Sequence, residues 1–453
     1  MSDSFGNLDA DAMRLLENDL SANGVRAIMG TAVNAAGVTL AKSVPLARLS
    51  KFHSVGLGAA PVWHVFCIDA AIAFAGGITA VGDMRLRLDA DAVRDLGDGL
   101  AWGPTQYFDQ DGTPHPGCTR TLLRSVERRL DDAGLAARVG HELEFVLVDS
   151  SGPGEGAWVP YGATGLLDRE RFVADLYAAA DSAGLEVEQV HAEYGRNQIE
   201  LSFAPTTPVA AADSVVLAKV LVGRVARRHD LRVSFSPVPY AGSVGNGAHQ
   251  HISLTRDGAP LFGVDGGTAD ITVAGRAAIG GVLAGLPDVQ GVLTGSVLSG
   301  GRLAPGLWSG VHNCWGLENR EAALRFVRGG ASNPYGANIE VKVVDSSANV
   351  YVASAALLLL ALNGIDAAAP LPDPVSGDPS AWSQQQLHDA GISLLPSDLG
   401  VIVDRLDGSA LARKLLGDSI VDAAVATRRH ELDTYGDAPA EEAAERFRFA
   451  WSI

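Results

Sequence analysis

Residues 138–148 read RVGHELEFVLV, an apolar run in which two acids stand two residues apart. Side chains on a strand alternate with a period of two, so Glu142 and Glu144 share one face while Leu143 and Phe145 pack on the other. Like charges placed that way repel unless a cation or a proton joins them. A solvent-facing strand that carries two acids by chance accounts for the segment equally well, and only recurrence separates the two.

The arrangement recurs three times. Gln198 and Glu200 alternate in NQIELSF (197–203), with Glu193 ahead of them; His249 and His251 alternate in GNGAHQHISL (245–254); Glu340 and Lys342 alternate in NIEVKVVD (338–345). An H-x-H pair alone reads as core or surface histidines, but four apolar strands that each give one face to polar chemistry favour a shared site. If they adjoin, one sheet face or barrel mouth gathers Glu142, Glu144, Glu193, Glu200 and Glu340, with His249 as a sixth ligand. Mostly oxygen donors with an imidazole suit Mg²⁺ or Mn²⁺ better than Zn²⁺, and two or more ions are expected.

Arginines supply the opposite charge. SGGRLAPGLWSG (299–310) sets Arg302 beside a glycine-rich turn, and WGLENREAALRF (315–326) places Arg320 and Arg325 at a short helix or strand. Guanidinium groups beside metal-binding carboxylates suit an anionic substrate, which they clamp through two hydrogen bonds. Structural pairing of these arginines with Glu318 and Glu321 is the alternative. Neither G-x-x-x-x-G-K-[ST] nor a strand-following G-x-G-x-x-G is present, so a nucleotide is expected to be held by metal and arginine.

Composition narrows the class. The chain has 453 residues, room for two or three domains, and 35 Lys and Arg against 53 Asp and Glu give a formal charge of −18. No net positive field attracts nucleic acid or anionic lipid, and neither is expected as a partner. The three cysteines, Cys67, Cys118 and Cys314, lie far apart, which fits a reducing compartment. Met1 to Ala12 lacks a basic segment followed by an apolar run, so a cytoplasmic location is expected. The apolar stretch 351–365 is too short for a membrane span and reads as a buried helix.

Around the acidic strands the pattern alternates. A helix over 8–23 leads into a hairpin turning at Asn34–Gly37, and short strands are expected near Trp63–Cys67 and Arg85–Leu88. The loop-like FDQDGTPHPG (108–117) sets a boundary near 112, dividing the chain into 1–112 and 113–453. Beyond it come a helix through Leu122–Leu130, the strand 138–148, a helix over 169–183, strands at 186–191 and 197–203, a helix over 210–229 and a strand at 232–237. Residues 367–380 are expected to form a surface loop, followed by a mostly helical tail.

With these motifs in place, nearly the whole chain resembles the glutamine synthetase family. HAEYGRNQIE (191–200) is similar to the family's stretch of glutamate, glycine, glutamine and glutamate, GNGAHQHISL to its G-x-H-x-H-x-S motif, and IEVKVVDSSANVYVASA (339–355) to its E-x-R-x-x-D-x-x-x-N-P-Y-L signature. The resemblance implies an α+β fold: a small N-terminal β-grasp domain, then a large catalytic domain whose curved antiparallel sheet is flanked by helices. It implies ATP and two or three Mg²⁺ or Mn²⁺ ions per site. Glu144, Glu193 and Glu200 would surround one metal; Glu142, His249 and Glu340 would surround another. His251 would approach the nucleotide phosphates with Ser253 nearby, Arg302 and Gly245 would serve the substrate, and Arg320 and Arg325 the phosphoryl group. It also implies a homo-oligomer, commonly a dodecamer of two hexameric rings, with sites completed by neighbouring subunits.

Departures fall on the amine side. The family's flap glutamate, which takes a proton from the ammonium adduct, is replaced by Trp308, whose apolar face suits an organic amine. Asn34 is aligned with an aspartate that binds ammonium. Lys342 stands where an arginine grips substrate, keeping charge without the fork, and Asn338 where a nucleotide-side arginine is common. The expected activity is an ATP-dependent joining of glutamate, through its γ-carboxyl, to an organic amine such as a polyamine or ethanolamine. Ammonia-using glutamine synthesis, a catalytically silent family member and a metal-dependent hydrolase are the alternatives.

Overall fold

The computed structural model describes residues 8–149, 158–263 and 268–453; residues 1–7 of the segment read as free of a leader lie outside it. Asp9 caps the first helix, Ala10–Ala22, by accepting from the backbone N–H groups of Asp11 and Ala12. Strands β1 (Ala27–Val33), β2 (Thr39–Pro45), β3 (Leu57–Ala59), β4 (Met84–Leu88), β5 (Arg94–Asp95) and β6 (Leu100–Phe108) form one sheet in the order β2-β1-β6-β4-β3, with β5 on β6. The hairpin is as read. Near Trp63–Cys67 the structure corrects the expected strand: Pro61 opens a 3-10 turn, Pro61–Val65, and the Trp63 N–H donates to the Ala60 carbonyl at 3.0 Å.

The second sheet is larger. It comprises β7 (Leu135–Asp149), β8 (Val187–Ala192), β9 (Gln198–Thr206), β10 (Leu231–Ser234), β11 (Gln250–Arg256), β12 (Ala259–Pro260), β13 (His312–Leu317), β14 (Ala322–Val327) and β15 (Asn338–Val341). Their order is β13-β14-β15-β11-β7-β9-β8, antiparallel except for the edge pair β13 and β14. The chain is α+β, a β-rich N-terminal part preceding a catalytic part with a flanked sheet. On β7, Val139, Leu143, Phe145 and Leu147 are buried in the main core while Glu142 and Glu144 stay half-buried, as the alternation requires.

Helices Thr119–Asp132, Pro208–Arg228, Val273–Leu293 and Val350–Asp366 join that core. The last two approach so closely that a Cβ on Gly281 would lie 2.5 Å from the Gly364 Cα, so glycine is required there. Val350–Asp366 is the buried helix read from the sequence, and no helix among the described residues is long and apolar enough to cross a membrane. Its cap residue Asn349 accepts from the Tyr351 and Val352 N–H groups and donates to the carbonyls of Val33 and Asn34, tying it to the smaller sheet. A second tie is the buried Arg120, paired at 2.7 Å with both Asp89 and Asp213.

Candidate active site

Strand register decides which side chains meet. Glu144 stands opposite Glu200 and Glu200 opposite His191, a polar row across β7, β9 and β8. Arg325, Glu340 and His251 form another across β14, β15 and β11. The sheet opens onto a cavity of about 430 Å³ that includes Glu142, Glu144, Glu193, Glu200 and His249 in its walls.

Two groups of three ligating side chains converge here, the donor atoms of each within 4.8 Å of one another: Glu142, His249 and Glu340, and His191, Glu193 and Glu200. The first is the trio expected. The second holds Glu193 and Glu200 with His191 added, and Glu144 lines the same cavity beside them. Glu144 Oε2 accepts from Gln198 Nε2 at 3.0 Å and from the Gly247 N–H at 2.9 Å, which leaves Oε1 toward the cavity. A Cβ on Gly247 would lie 2.5 Å from His249 Nε2, so glycine is what allows that approach. His191 was legible from its place opposite Glu200 and two residues before Glu193, which lies just beyond the end of its strand.

The two trios differ in charge. Burial pushes the Glu142 carboxyl up, but the charge of His251 and hydrogen bonds from His249 and His251 outweigh it and hold it well below the usual range. Burial acts the same way on Glu340, where Lys342 at 2.9 Å and Arg325 at 3.1 Å supply compensating cations, and its carboxyl is also held low. In the other trio burial, then Glu142 and Glu144, push Glu200 up to about 8 against the hydrogen bond from His191. Burial and Glu144 also raise Glu193. The hydrogen bond to Glu200 lifts His191 to about 9. Two carboxylates and one imidazole per trio fit Mg²⁺ or Mn²⁺, and the protons retained by the second mark negative charge that a cation would neutralise.

The arginines separate by role. Arg302 lines the cavity, 5 % exposed, with its terminal nitrogens donating to the carbonyls of Val343 at 3.0 Å and Lys342 at 2.7 Å, and its stem packs against Gly245. Arg325 pairs with Glu318 at 2.7 Å as well as with Glu340, so the structural pairing weighed from the sequence is present. Arg320 is exposed in the cavity wall and forms no ion pair among the described residues. Glu321 pairs with neither arginine; it accepts from the Gly306 and Trp308 N–H groups and holds the 304–308 segment.

Trp308, at φ +52°, keeps its ring 41 % exposed in the cavity wall. It meets Tyr194 edge to face at 5.5 Å, Tyr194 meets Tyr161 at 5.9 Å, and Tyr161 reaches His191 at 5.2 Å. This aromatic wall escaped the sequence reading, because Tyr161 and Tyr194 share no strand pattern with Trp308. His251 spans Glu142 Oε1 at 3.1 Å and Asn338 Oδ1 at 2.9 Å and, with Ser253, lines an adjoining cavity of about 540 Å³ that shares Glu142, Gln189 and Arg325 with the first. Asn34 does not line this chain's own cavity. It is 1 % exposed in the β1–β2 turn, where its carboxamide accepts from the Ala36 and Val38 N–H groups and donates to the Phe66 carbonyl.

Residues 116–447 match the glutamine synthetase catalytic domain family. The chain belongs to the glutamine synthetase family. Both trios lie inside the matched region, and membership makes the protein an enzyme of the ligase class that forms carbon–nitrogen bonds. Among relatives, the gamma-glutamylpolyamine synthetase of Streptomyces coelicolor is 36% identical over 96% of both chains. A glutamine synthetase of Halobacterium salinarum is 27% identical over 98% of both. The crystal structure of a glutamine synthase homologue superposes with a TM-score of 0.84 at 30% identity, covering 94% of this chain and 99% of the other. GmaS in complex with ADP shares the fold at a TM-score of 0.82 and 23% identity, covering 95% and 98%.

Proposed function

We propose that this glutamine synthetase family member is an ATP-dependent ligase that joins the γ-carboxyl of glutamate to an organic amine, a polyamine or another alkylamine, through γ-glutamyl phosphate. Trp308 carries the reading. Where the resemblance calls for a proton-accepting glutamate, this chain presents an indole edge to face with Tyr194, a surface for a carbon chain with no group to take a proton from an ammonium adduct. The gamma-glutamylpolyamine synthetase relative, similar along its whole length, supports the same substrate class.

ATP is assigned to the cavity holding His251 and Ser253, and glutamate to the one holding Arg302, Gly245 and Lys342. Bound Mg²⁺ or Mn²⁺, two or three per site, held by Glu142, His249 and Glu340 and by His191, Glu193 and Glu200 with Glu144 beside them, would neutralise charge on the phosphoryl oxygens. Arg325, common to both cavities, and the unpaired fork of Arg320 stabilise the phosphoryl group as the γ-carboxylate oxygen attacks phosphorus and ADP leaves. The neutral amine nitrogen then attacks the activated carbonyl carbon, the bond to phosphate breaks, and the departing phosphate takes the proton the nitrogen loses. The 304–308 segment, held by Glu321, shields an intermediate that water would hydrolyse. Residues 1–112 would complete a neighbour's site in a dodecamer of two hexameric rings, and 113–453 would form the catalytic unit.

Phosphate release with glutamate, ATP and a panel of amines tests the reading. Stimulation by polyamines or alkylamines is expected; saturation by ammonia alone would overturn it. Trp308→Glu should shift the preference toward ammonia by about tenfold or more, and an unchanged ratio would remove Trp308 from the amine seat.

A further inference from the structure

A third ligand cluster lies away from the catalytic cavity. Its donors are Cys67 and Asp69, from the loop beyond β3, and His430, from the helix Asp418–Tyr435; their ligating atoms lie within 4.8 Å of one another. The loop is held in shape by its own backbone, with the Ala70 N–H donating to the Cys67 carbonyl and the Cys67 N–H to the Ala71 carbonyl. Asp69 Oδ1 accepts from the Ala71 N–H at 3.0 Å, which aims Oδ2 at the helix. There it meets His430 Nε2 at 2.8 Å and the Tyr435 hydroxyl at 2.8 Å.

We infer that Cys67, Asp69 and His430 form a zinc site that staples the N-terminal loop to the C-terminal helix. The donor set is one thiol, one carboxylate and one imidazole, which selects Zn²⁺ over the Mg²⁺ or Mn²⁺ suited to the oxygen-rich trios. A tetrahedral zinc with bonds of about 2.0–2.3 Å separates neighbouring donors by roughly 3.3–3.7 Å. Asp69 Oδ2 and His430 Nε2, at 2.8 Å, stand closer than that and the three donors lie within 4.8 Å of one another, so side-chain rotation alone brings them onto an ion. The Cys67 thiol is buried, whereas His430 and Asp69 retain 26% and 10% side-chain exposure, leaving an approach for the ion and a fourth ligand from solvent. Tyr435 supplies the outer hydrogen bond that orients a ligating carboxylate. Burial, with Asp69 and Glu431 nearby, pushes the metal-free thiol up to about 12, so binding releases the thiol proton and strengthens with pH.

Cobalt is the probe, because a thiolate–cobalt bond absorbs in the near ultraviolet and carboxylate–imidazole sites do not. Among the described residues neither Cys118 nor Cys314 belongs to a ligand cluster, so the band reports Cys67. Titrating the metal-free full-length protein with Co²⁺ should produce the band, and Zn²⁺, but not excess Mg²⁺, should abolish it. Cys67→Ser should remove the band, and His430→Gln should weaken Co²⁺ binding at this site at least tenfold, both leaving Mg²⁺-supported activity in place. Wild-type protein that binds Co²⁺ without the band, or a band that survives Cys67→Ser, overturns the site and leaves only a hydrogen-bonded clamp.

Discussion

The two metal trios have the same ligand types and opposite electrostatics. Glu142, His249 and Glu340 sit among Lys342, Arg325 and His251, so in the absence of an ion their carboxylates already face cations. His191, Glu193 and Glu200 have Glu142 and Glu144 for neighbours, offset by one imidazole and by hydrogen bonds to Glu193 from Tyr161 and the Tyr194 N–H. The first trio is held ready by the protein's own cations, while the second retains protons until an ion displaces them. Identical ligands thus carry different costs: a buried carboxylate with partners supports the fold, and one without them opposes it.

Glu340→Gln tests that contrast most severely. The carboxylate is 1 % exposed and paired to a lysine that is itself buried, so its removal strands positive charge. A loss of about 3–5 kcal/mol in urea unfolding is expected, with activity abolished; a loss under about 1 kcal/mol would show that the first trio is not charge-balanced as described. Glu200→Gln should behave oppositely in metal-free protein. It removes a carboxyl that burial already keeps protonated, so stability should hold or rise, while divalent-ion affinity falls about 10–100-fold, as does that of His191→Gln. Equal destabilisation by Glu340→Gln and Glu200→Gln would erase the distinction.

Much of this was legible because strands index their faces. Alternation in four segments named Glu142, Glu144, Glu200, His249 and Glu340, with Glu193 just ahead of one of them, and strand register brought the alternating residues together. What escaped depended on contacts that cross elements with no common period: the Tyr161–Tyr194–Trp308 wall, and Arg120 held between Asp89 and Asp213. Asn34 is a polar residue in a turn, which reads equally as a ligand or as a side chain serving its own backbone, and within one chain its carboxamide serves the backbone. Glu144 fell on the correct face, and one of its oxygens is oriented by the Gly247 N–H.

The smallest effect expected is a dependence on pH. Glu200 has its carboxyl raised from the ordinary range to about 8, so the folded, metal-free protein binds that proton more tightly than the unfolded chain does, and stability falls as pH climbs from about 4.5 through 8. His191, raised to about 9 by its hydrogen bond to Glu200, titrates with that carboxyl as one pair, so the stability it contributes is complete below about 6.5 and is lost as pH rises through 9, in the same direction as that of Glu200. A divalent ion that replaces the retained proton removes this loss, and each proton displaced strengthens apparent ion binding by about 1.4 kcal/mol per pH unit below the raised value. The gap in Tm between metal-free and Mg²⁺-loaded protein should therefore widen from pH 6.5 to 8.5, and Glu200→Gln should flatten the change. A gap that stays constant over that interval in the wild type would mean that the second trio is already deprotonated without its ion, and the two trios would then be electrostatically alike.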